Sequence, residues 1–235
     1  MFQAVLGKPG TGKTKFIRNR VIQNAQAGHR VYLIVPEQFS FESERALSKQ
    51  LEAEAAERIE VLSFTSLCNR IFREYGGLAG NYLSGGGKYI LMDLAIEQLR
   101  EQMKVYARQA YSPAFTQSLC RTVSQLKAAG ISPKQLVEQA GALENELLLQ
   151  KTQEIGTIYG MYEALLERGY ADPDDDLTRA EQLLKNHPFF KGMAVYFDAF
   201  DGFTGQEYQI IRCVFEQADE VGAALCVDSP EDDER

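Results

Sequence analysis

Two hydrophobic rhythms divide this chain. Short, mostly apolar runs stand at residues 2–6, 31–35 and 59–62, and such runs suit strands buried on both faces of a sheet. Between them the apolar positions recur at helical spacing. Residues 15–27 carry Phe16, Ile17, Val21, Ile22 and Ala25 on one stripe, closed by Gly28. Pro36 stops the second strand, and one helix is predicted over residues 41–56 with Ser40 near its start. Ser63 opens a helix over residues 67–75, ended by Gly76 and Gly77. The order β-α-β-α-β-α predicts a parallel sheet covered by helices.

From residue 84 to residue 185 the pattern is helical only. Ser84 opens a helix reaching Leu99, and residues 115–129 form another, stopped by Gly130. Ser132 and Pro133 are an N-cap and first-turn pair for a short helix ending at Ala140. Residues 143–166 form a long amphipathic helix, and residues 177–184 a last one. The sheet pattern returns with a strand at 193–197 ending at Asp198, a helix at 207–217 and a strand at 221–227. The expected organisation is a core of residues 1–83 and 186–235 around a helical insertion at 84–185. There is neither an internal repeat nor a low-complexity linker.

Chemistry enters at the end of the first strand. Residues 7–14 read Gly-Lys-Pro-Gly-Thr-Gly-Lys-Thr and fit the phosphate-binding spacing at Gly7, Gly12, Lys13 and Thr14. Glycines, Gly10 among them, let backbone N–H groups turn toward phosphate oxygens. Lys13 supplies a point charge for the β- and γ-phosphates, and Thr14 a hydroxyl for magnesium. The following helix aims its positive N-terminal end at the same place. Strand, loop and helix arrive in the order this chemistry requires, so a nucleoside triphosphate site is expected, with ATP and Mg2+ as its ligands.

Asp198, at the end of a later apolar strand, is the expected magnesium carboxylate opposite Thr14. A capping role before the turn at Asp201 and Gly202 is its structural alternative. The neighbouring position is Ala199, where many phosphate-loop ATPases carry the glutamate that prepares the attacking water. Loss of a general base costs a factor on the order of a hundred to ten thousand. Binding of ATP with weak or absent hydrolysis is therefore expected.

Composition narrows the field. Hydrophobic residues make up 45% of the chain, enough for a sizeable core. No apolar stretch is long enough to cross a bilayer, and no secretory pattern opens the chain, so no membrane association and a cytoplasmic location are expected. Cys68, Cys120, Cys213 and Cys226 are widely spaced and read as buried reduced thiols. With only His29 and His187 present, histidine-based zinc or triad chemistry has little material. The net charge of −8 argues against coating nucleic acid by charge alone, and the acidic run at 231–234 reads as a solvated tail.

Several strings together resemble the N-terminal part of the B subunit of the bacterial AddAB-type helicase/deoxyribonuclease family. They are the loop at 7–14, Leu33-Ile34-Val35-Pro36-Glu37-Gln38, Val61-Leu62-Ser63-Phe64-Thr65-Ser66-Leu67, and the run from Phe197 to Glu207, the most specific of the set. Residues 171–177 resemble more weakly the segment where superfamily 1 helicases return from their helical insertion. The resemblance implies a RecA-like, phosphate-loop α/β core with an all-helical subdomain. It implies processing of double-strand DNA ends for recombinational repair, as a heterodimer with an A subunit. It places a nuclease domain and an iron–sulphur cluster C-terminal to this region, which would make the chain a fragment lacking an arginine finger. The upstream glutamine-bearing segment that reads adenine in active helicases is also expected to be missing. Finally, it implies single-stranded DNA contacts at Pro36, Glu37 and Gln38 and at Ser63, Phe64, Thr65 and Ser66. Phe64 then stacks on a base, or else it is core and the hydroxyls are helix caps; the sequence leaves both open.

Two other functions compete. A small-molecule phosphate-loop kinase needs acceptor-binding arginines, and Arg100, Arg108, Arg121, Arg168 and Arg179 are scattered without a cluster. An inactive phosphate-loop scaffold, kept for docking a partner subunit, needs no nucleotide at all.

Overall fold

The computed structural model describes residues 2–78 and 80–227. The acidic run at 231–234 lies outside the described residues. Strands β1 (Phe2–Gly7), β2 (Arg30–Ile34), β3 (Ile59–Leu62), β4 (Met193–Phe200) and β5 (Glu220–Cys226) form one parallel sheet in the order β1-β5-β4-β2-β3. The helices are α1 (Lys13–Gln26), α2 (Ser40–Ser48), α3 (Ala53–Ala56), α4 (Phe64–Tyr75), α5 (Gly85–Leu99), α6 (Pro113–Ala128), α7 (Pro133–Ala140), α8 (Glu146–Leu166), α9 (Asp176–Asn186) and α10 (Gly205–Gln217). The α/β class and the parallel sheet expected from the apolar runs are both present.

The described residues fall into two compact units. The first comprises those of Met1–Gly77, Leu177–Phe203 and Glu207–Arg235, and the second Leu78–Asp176 with Thr204–Gln206. In the first unit the middle of the sheet is buried on both faces, whereas β1, expected as a buried strand, lies at the sheet edge and is largely exposed. Ile17, Val21 and Ala25 of α1 pack with Val31, Leu33 and Tyr196 on one side. On the other side Ile71 and Phe72 of α4, Ala180 and Leu184 of α9, and Ile210 and Val214 of α10 pack with Tyr32, Ile34, Val195 and Phe197. Alternation along each strand assigns its residues to these two layers. The helical return therefore differs from the expected boundary at residue 185: most of α9 belongs to the sheet unit.

The second unit has its own apolar core, with Met92 and Ile96 of α5, Leu119 and Val123 of α6, and Ile158 and Tyr162 of α8. Its helix ends follow from local chemistry. Ser84 accepts the Gly87 N–H at 3.1 Å, Ser132 and Gln135 form a capping box, and Asn145 accepts the Leu148 N–H at 3.0 Å. The Asn145 cap starts α8 three residues later than the periodicity predicts.

This unit also buries charge. Lys127, its side chain 1% exposed, lies 2.8 Å from Glu163, 3.0 Å from Asp172 and 2.7 Å from Asp175. Lys88 lies 2.8 Å from Asp172 and also bonds Asp174, and the Tyr162 hydroxyl donates to Asp172 at 2.9 Å. Burial pushes Asp172 toward neutrality, but Lys127 and Lys88 outweigh it and hold the carboxyl below its ordinary range. For Glu163 and Asp175 burial wins over Lys127, and both sit above theirs.

Three local expectations change. The helix predicted over 41–56 is two helices, because the chain turns at Gln50, whose N–H bonds the Leu47 carbonyl at 2.9 Å. Leu47, Leu51 and Ala55 keep a four-residue spacing across the break, so the periodicity does not register it. Strand β4 runs past Asp198 to Phe200 through a register shift against β5, with Ala199 at φ 65°. Of the cysteines, Cys68 and Cys213 are buried, but Cys120 is half-buried and Cys226 exposed at the end of β5. No helix among the described residues is long and apolar enough to cross a membrane.

Candidate functional site

The loop between β1 and α1 is shaped by its glycines. Gly10 and Gly12 have φ of 80° and 90°, a region that side-chain-bearing residues avoid. At Gly7 a Cβ would stand 2.8 Å from the Thr11 hydroxyl, so a side chain there would crowd the loop. Thr11 itself donates to the Lys8 carbonyl at 2.8 Å. The Lys13 ammonium donates to the carbonyls of Gly7 and Lys8, both at 2.7 Å, and so lies folded over the loop.

Thr14 is on the first turn of α1, and its hydroxyl donates to Asp198 Oδ1 at 3.1 Å. The sheet order explains this meeting across 184 residues: β5 separates β1 from β4, and all three strands end on the same side. That edge is where ligands bind in open α/β sheets. Asp198 is 4% exposed. Burial pushes its carboxyl above the usual range, against the Thr14 hydroxyl, the Ala199 N–H and the charges of Arg18 and Lys13. A buried carboxylate facing a hydroxyl oxygen is a hard-oxygen donor pair, the type magnesium takes.

These groups line a cavity of about 440 Å³ with Gln38, Phe39, Asp201 and Cys226. The sequence-predicted Gly10, Gly12, Lys13, Thr14 and Asp198 all belong to it; Gly7 supports the loop from beneath. Asp201, three residues beyond Asp198, joins them in the lining. Nothing in the sequence marks Ala199 for the positive φ it takes. Among the lining residues there is no arginine, and two of the five arginines considered for a kinase acceptor lie over rings instead. Arg100 covers Tyr111 and Arg179 covers Phe72.

A second cavity, about 370 Å³, shares Gln38, Ala199, Phe200 and Asp201 with the first. Its other lining residues include Pro36, Glu37, Ser63, Phe64, Thr65 and Glu207. The two segments expected to meet DNA are thus brought together. Their side chains are not equally available. Phe64 is 6% exposed, its ring 5.6 Å from Phe200 and 6.3 Å from both Phe197 and Phe203. Base stacking is closed to it here, and the core reading stands. Ser63 is buried and caps α4 by accepting the Ser66 N–H at 3.1 Å. Ser66 is half-buried beside it, whereas Thr65, Glu37 and Gln38 are exposed. The lining carries Glu37, Asp201 and Glu207 and no lysine or arginine, so its charge repels phosphate rather than attracting it.

Comparison with known proteins agrees with the motif strings. The family described as ADDB, N-terminal, matches residues 4–235. The chain belongs to this family. Curated relatives of the ADDB N-terminal region are each named as the B subunit of an ATP-dependent helicase/deoxyribonuclease. The protein of Thermoanaerobacter sp. (strain X514) is 32% identical over 230 residues, covering 97% of this chain and 20% of the relative. That of Clostridioides difficile (strain 630) is 33% identical over 229 residues, covering 95% and 20%. The chain spans about a fifth of the length of the curated relatives it matches.

Proposed function

We propose that this ADDB-family chain is the nucleotide-binding N-terminal region of the B subunit of an ATP-dependent helicase/deoxyribonuclease that, paired with an A subunit, processes DNA ends for repair. The observation that carries the nucleotide part is the 3.1 Å contact between Thr14 and Asp198 beside the folded loop. Backbone N–H groups of residues 10–14 would hold the phosphates. Lys13 would exchange its bonds to the Gly7 and Lys8 carbonyls for phosphate oxygens, a swap that stays within reach of the same loop. Thr14 and Asp198 would hold magnesium, which supplies charge neutralisation on the phosphates.

Hydrolysis in this chain is weak. Ala199 has no proton acceptor, and Asp201 is the carboxylate besides Asp198 in the cavity lining. A DNA strand lying along the second cavity would rest on the Thr65 hydroxyl, the α4 N-terminus and the polar edges of Glu37 and Gln38, not on cationic attraction.

Calorimetric titration with Mg·ATP, beside Lys13→Ala, tests the reading. Saturable binding that the substitution abolishes is the expected result. Absence of binding in both proteins at millimolar nucleotide would leave the scaffold reading, which the bonding of Lys13 to its own loop favours. Steady turnover like that of a motor, lost in Lys13→Ala, would refute weak hydrolysis.

A further inference from the structure

Between α5 and α6, residues 100–112 form a loop of the helical unit whose shape is set from inside. The backbone N–H groups of Lys104, Val105 and Tyr106 all donate to the Glu154 carboxylate, at 2.7, 2.8 and 3.0 Å. Burial opposes the charge of Glu154, but these bonds and the Lys104 charge hold its carboxyl below its ordinary range. Met103 and Ala110 are buried in the core of this unit, and the Tyr106 ring meets that of Phe115 at 5.0 Å. The Ala110 N–H bonds the Tyr106 carbonyl at 2.9 Å, and the Ser112 N–H bonds that of Gln109 at 2.8 Å. The loop is therefore shaped before anything binds it, which lowers the ordering cost of binding.

What the loop shows to solvent is cationic and aromatic. Lys104 and Arg108 are exposed, and Tyr111 is 71% exposed. The Arg100 guanidinium covers one face of the Tyr111 ring, its central carbon 4.5 Å from the ring centroid. Arg100 Nε is buried without a hydrogen-bond partner. Among the described residues, Arg100, Lys104 and Arg108 enter no ion pair. Glu101 is the one acid within residues 100–112, so this segment is positive in a chain whose net charge is −8. Unpaired cations beside an open ring suit a single strand of nucleic acid. The cations take phosphates, and the aromatic face takes an unstacked base. A duplex offers the same phosphates but keeps its base faces inside the stack, where Tyr111 cannot reach them.

We propose that residues 100–112 hold a single strand of DNA on the helical unit. Lys104 and Arg108 take backbone phosphates, and the open face of Tyr111, backed by Arg100, stacks on a base. That the strand is DNA rests on the helicase/deoxyribonuclease reading above. The site itself depends neither on nucleotide at Lys13 nor on a strand along the second cavity.

Lysine acetylation read by mass spectrometry on the full-length protein, paired with its A subunit and without nucleotide, tests it. Oligothymidylate should protect Lys104 and leave Lys134 of α7, its side chain 85% exposed, as reactive as before. Tyr111→Ala should raise the strand concentration for half-protection about fivefold or more. Arg108→Ala should also raise it, and should lower the slope of log affinity against log salt by about 0.7. Neither should move the thermal midpoint; if Tyr111→Ala does so by releasing Arg100, Arg108→Ala carries the comparison. Lys104 equally reactive with and without the strand would overturn the proposal and leave the family reading standing. Half-protection unchanged in both variants would overturn it too, since protection would then reach Lys104 indirectly. Protection of Lys104 by the A subunit before DNA is added would give the loop to a protein partner instead. Tighter binding of oligouridylate than of oligothymidylate would remove DNA as the strand. Failure of the complex to bind oligothymidylate at all, read by fluorescence anisotropy, would sink the family reading and this site with it.

Discussion

Replacing Lys127 by methionine keeps most of the side-chain volume and removes the charge on which three carboxylates converge. Asp172 would retain Lys88 at 2.8 Å and the Tyr162 hydroxyl at 2.9 Å. Glu163 and Asp175 would lose their cation. Removing one partner of a buried ion pair costs about 3–5 kcal/mol. Glu163 and Asp175 keep side-chain exposures of 33% and 28%, so water offsets part of the loss and the lower end, about 3 kcal/mol, is expected. Against a typical total of about 5–15 kcal/mol this is a large fraction. The loss depends on pH with a definite sign. Both carboxyls already sit above their ordinary range in the folded protein, so whatever they contribute is present at low pH and fades as pH rises through their folded values. Without Lys127 they rise further, and the variant recovers stability on acidification relative to the parent. Urea denaturation followed by circular dichroism at about pH 5.5 and about pH 8 reads the difference. Equal midpoints for variant and parent at pH 8, or a deficit of the same size at both pH values, would refute the reasoning.

Three other outcomes are expected from the same denaturation assay. Ala199→Gly removes the cost of a left-handed φ on a side-chain-bearing residue and raises stability by about 1 kcal/mol; an unchanged or lower midpoint counts against the strain. Gly205→Ala puts a Cβ 2.2 Å from the Ala129 carbonyl oxygen, a backbone obstacle, and should lose at least about 1–3 kcal/mol. Ser132→Ala removes the capping box of α7 and should lose about 1 kcal/mol, whereas Ser132→Asn should lose little.

How much of this was legible beforehand depended on whether the signal was local. The strands announce themselves because a strand covered on both faces must be apolar throughout, as Val31–Ile34 are, and these residues are fully buried. The bend of the β1–α1 loop is legible because Gly10 and Gly12 stand where the backbone takes the positive φ that glycine favours. Phe64 was undecidable because what buries it, Phe197, Phe200 and Phe203, lies more than a hundred residues away. Lys127 reads locally as an ordinary lysine in the last turn of a helix. Only the tertiary fold brings it to an acidic segment 45 residues later. Ala199 gave no warning, since alanine does not advertise positive φ as glycine or asparagine would.

The pairing of β1 with β5 has a consequence for the order of biosynthesis. Phe2 is made long before its register partner Val221. At roughly 5–20 residues per second, on the order of ten to forty seconds of translation separate the two. During that interval β1 has no neighbour, and Thr14 has no Asp198 to meet. The helices of Leu78–Asp176 close their own core from residues that emerge close together, and so can settle on the ribosome first. The loop with the most chemistry is thus made well before the strands that complete its surroundings. A chaperone that shields β1 and its loop on the nascent chain would have its longest opportunity there.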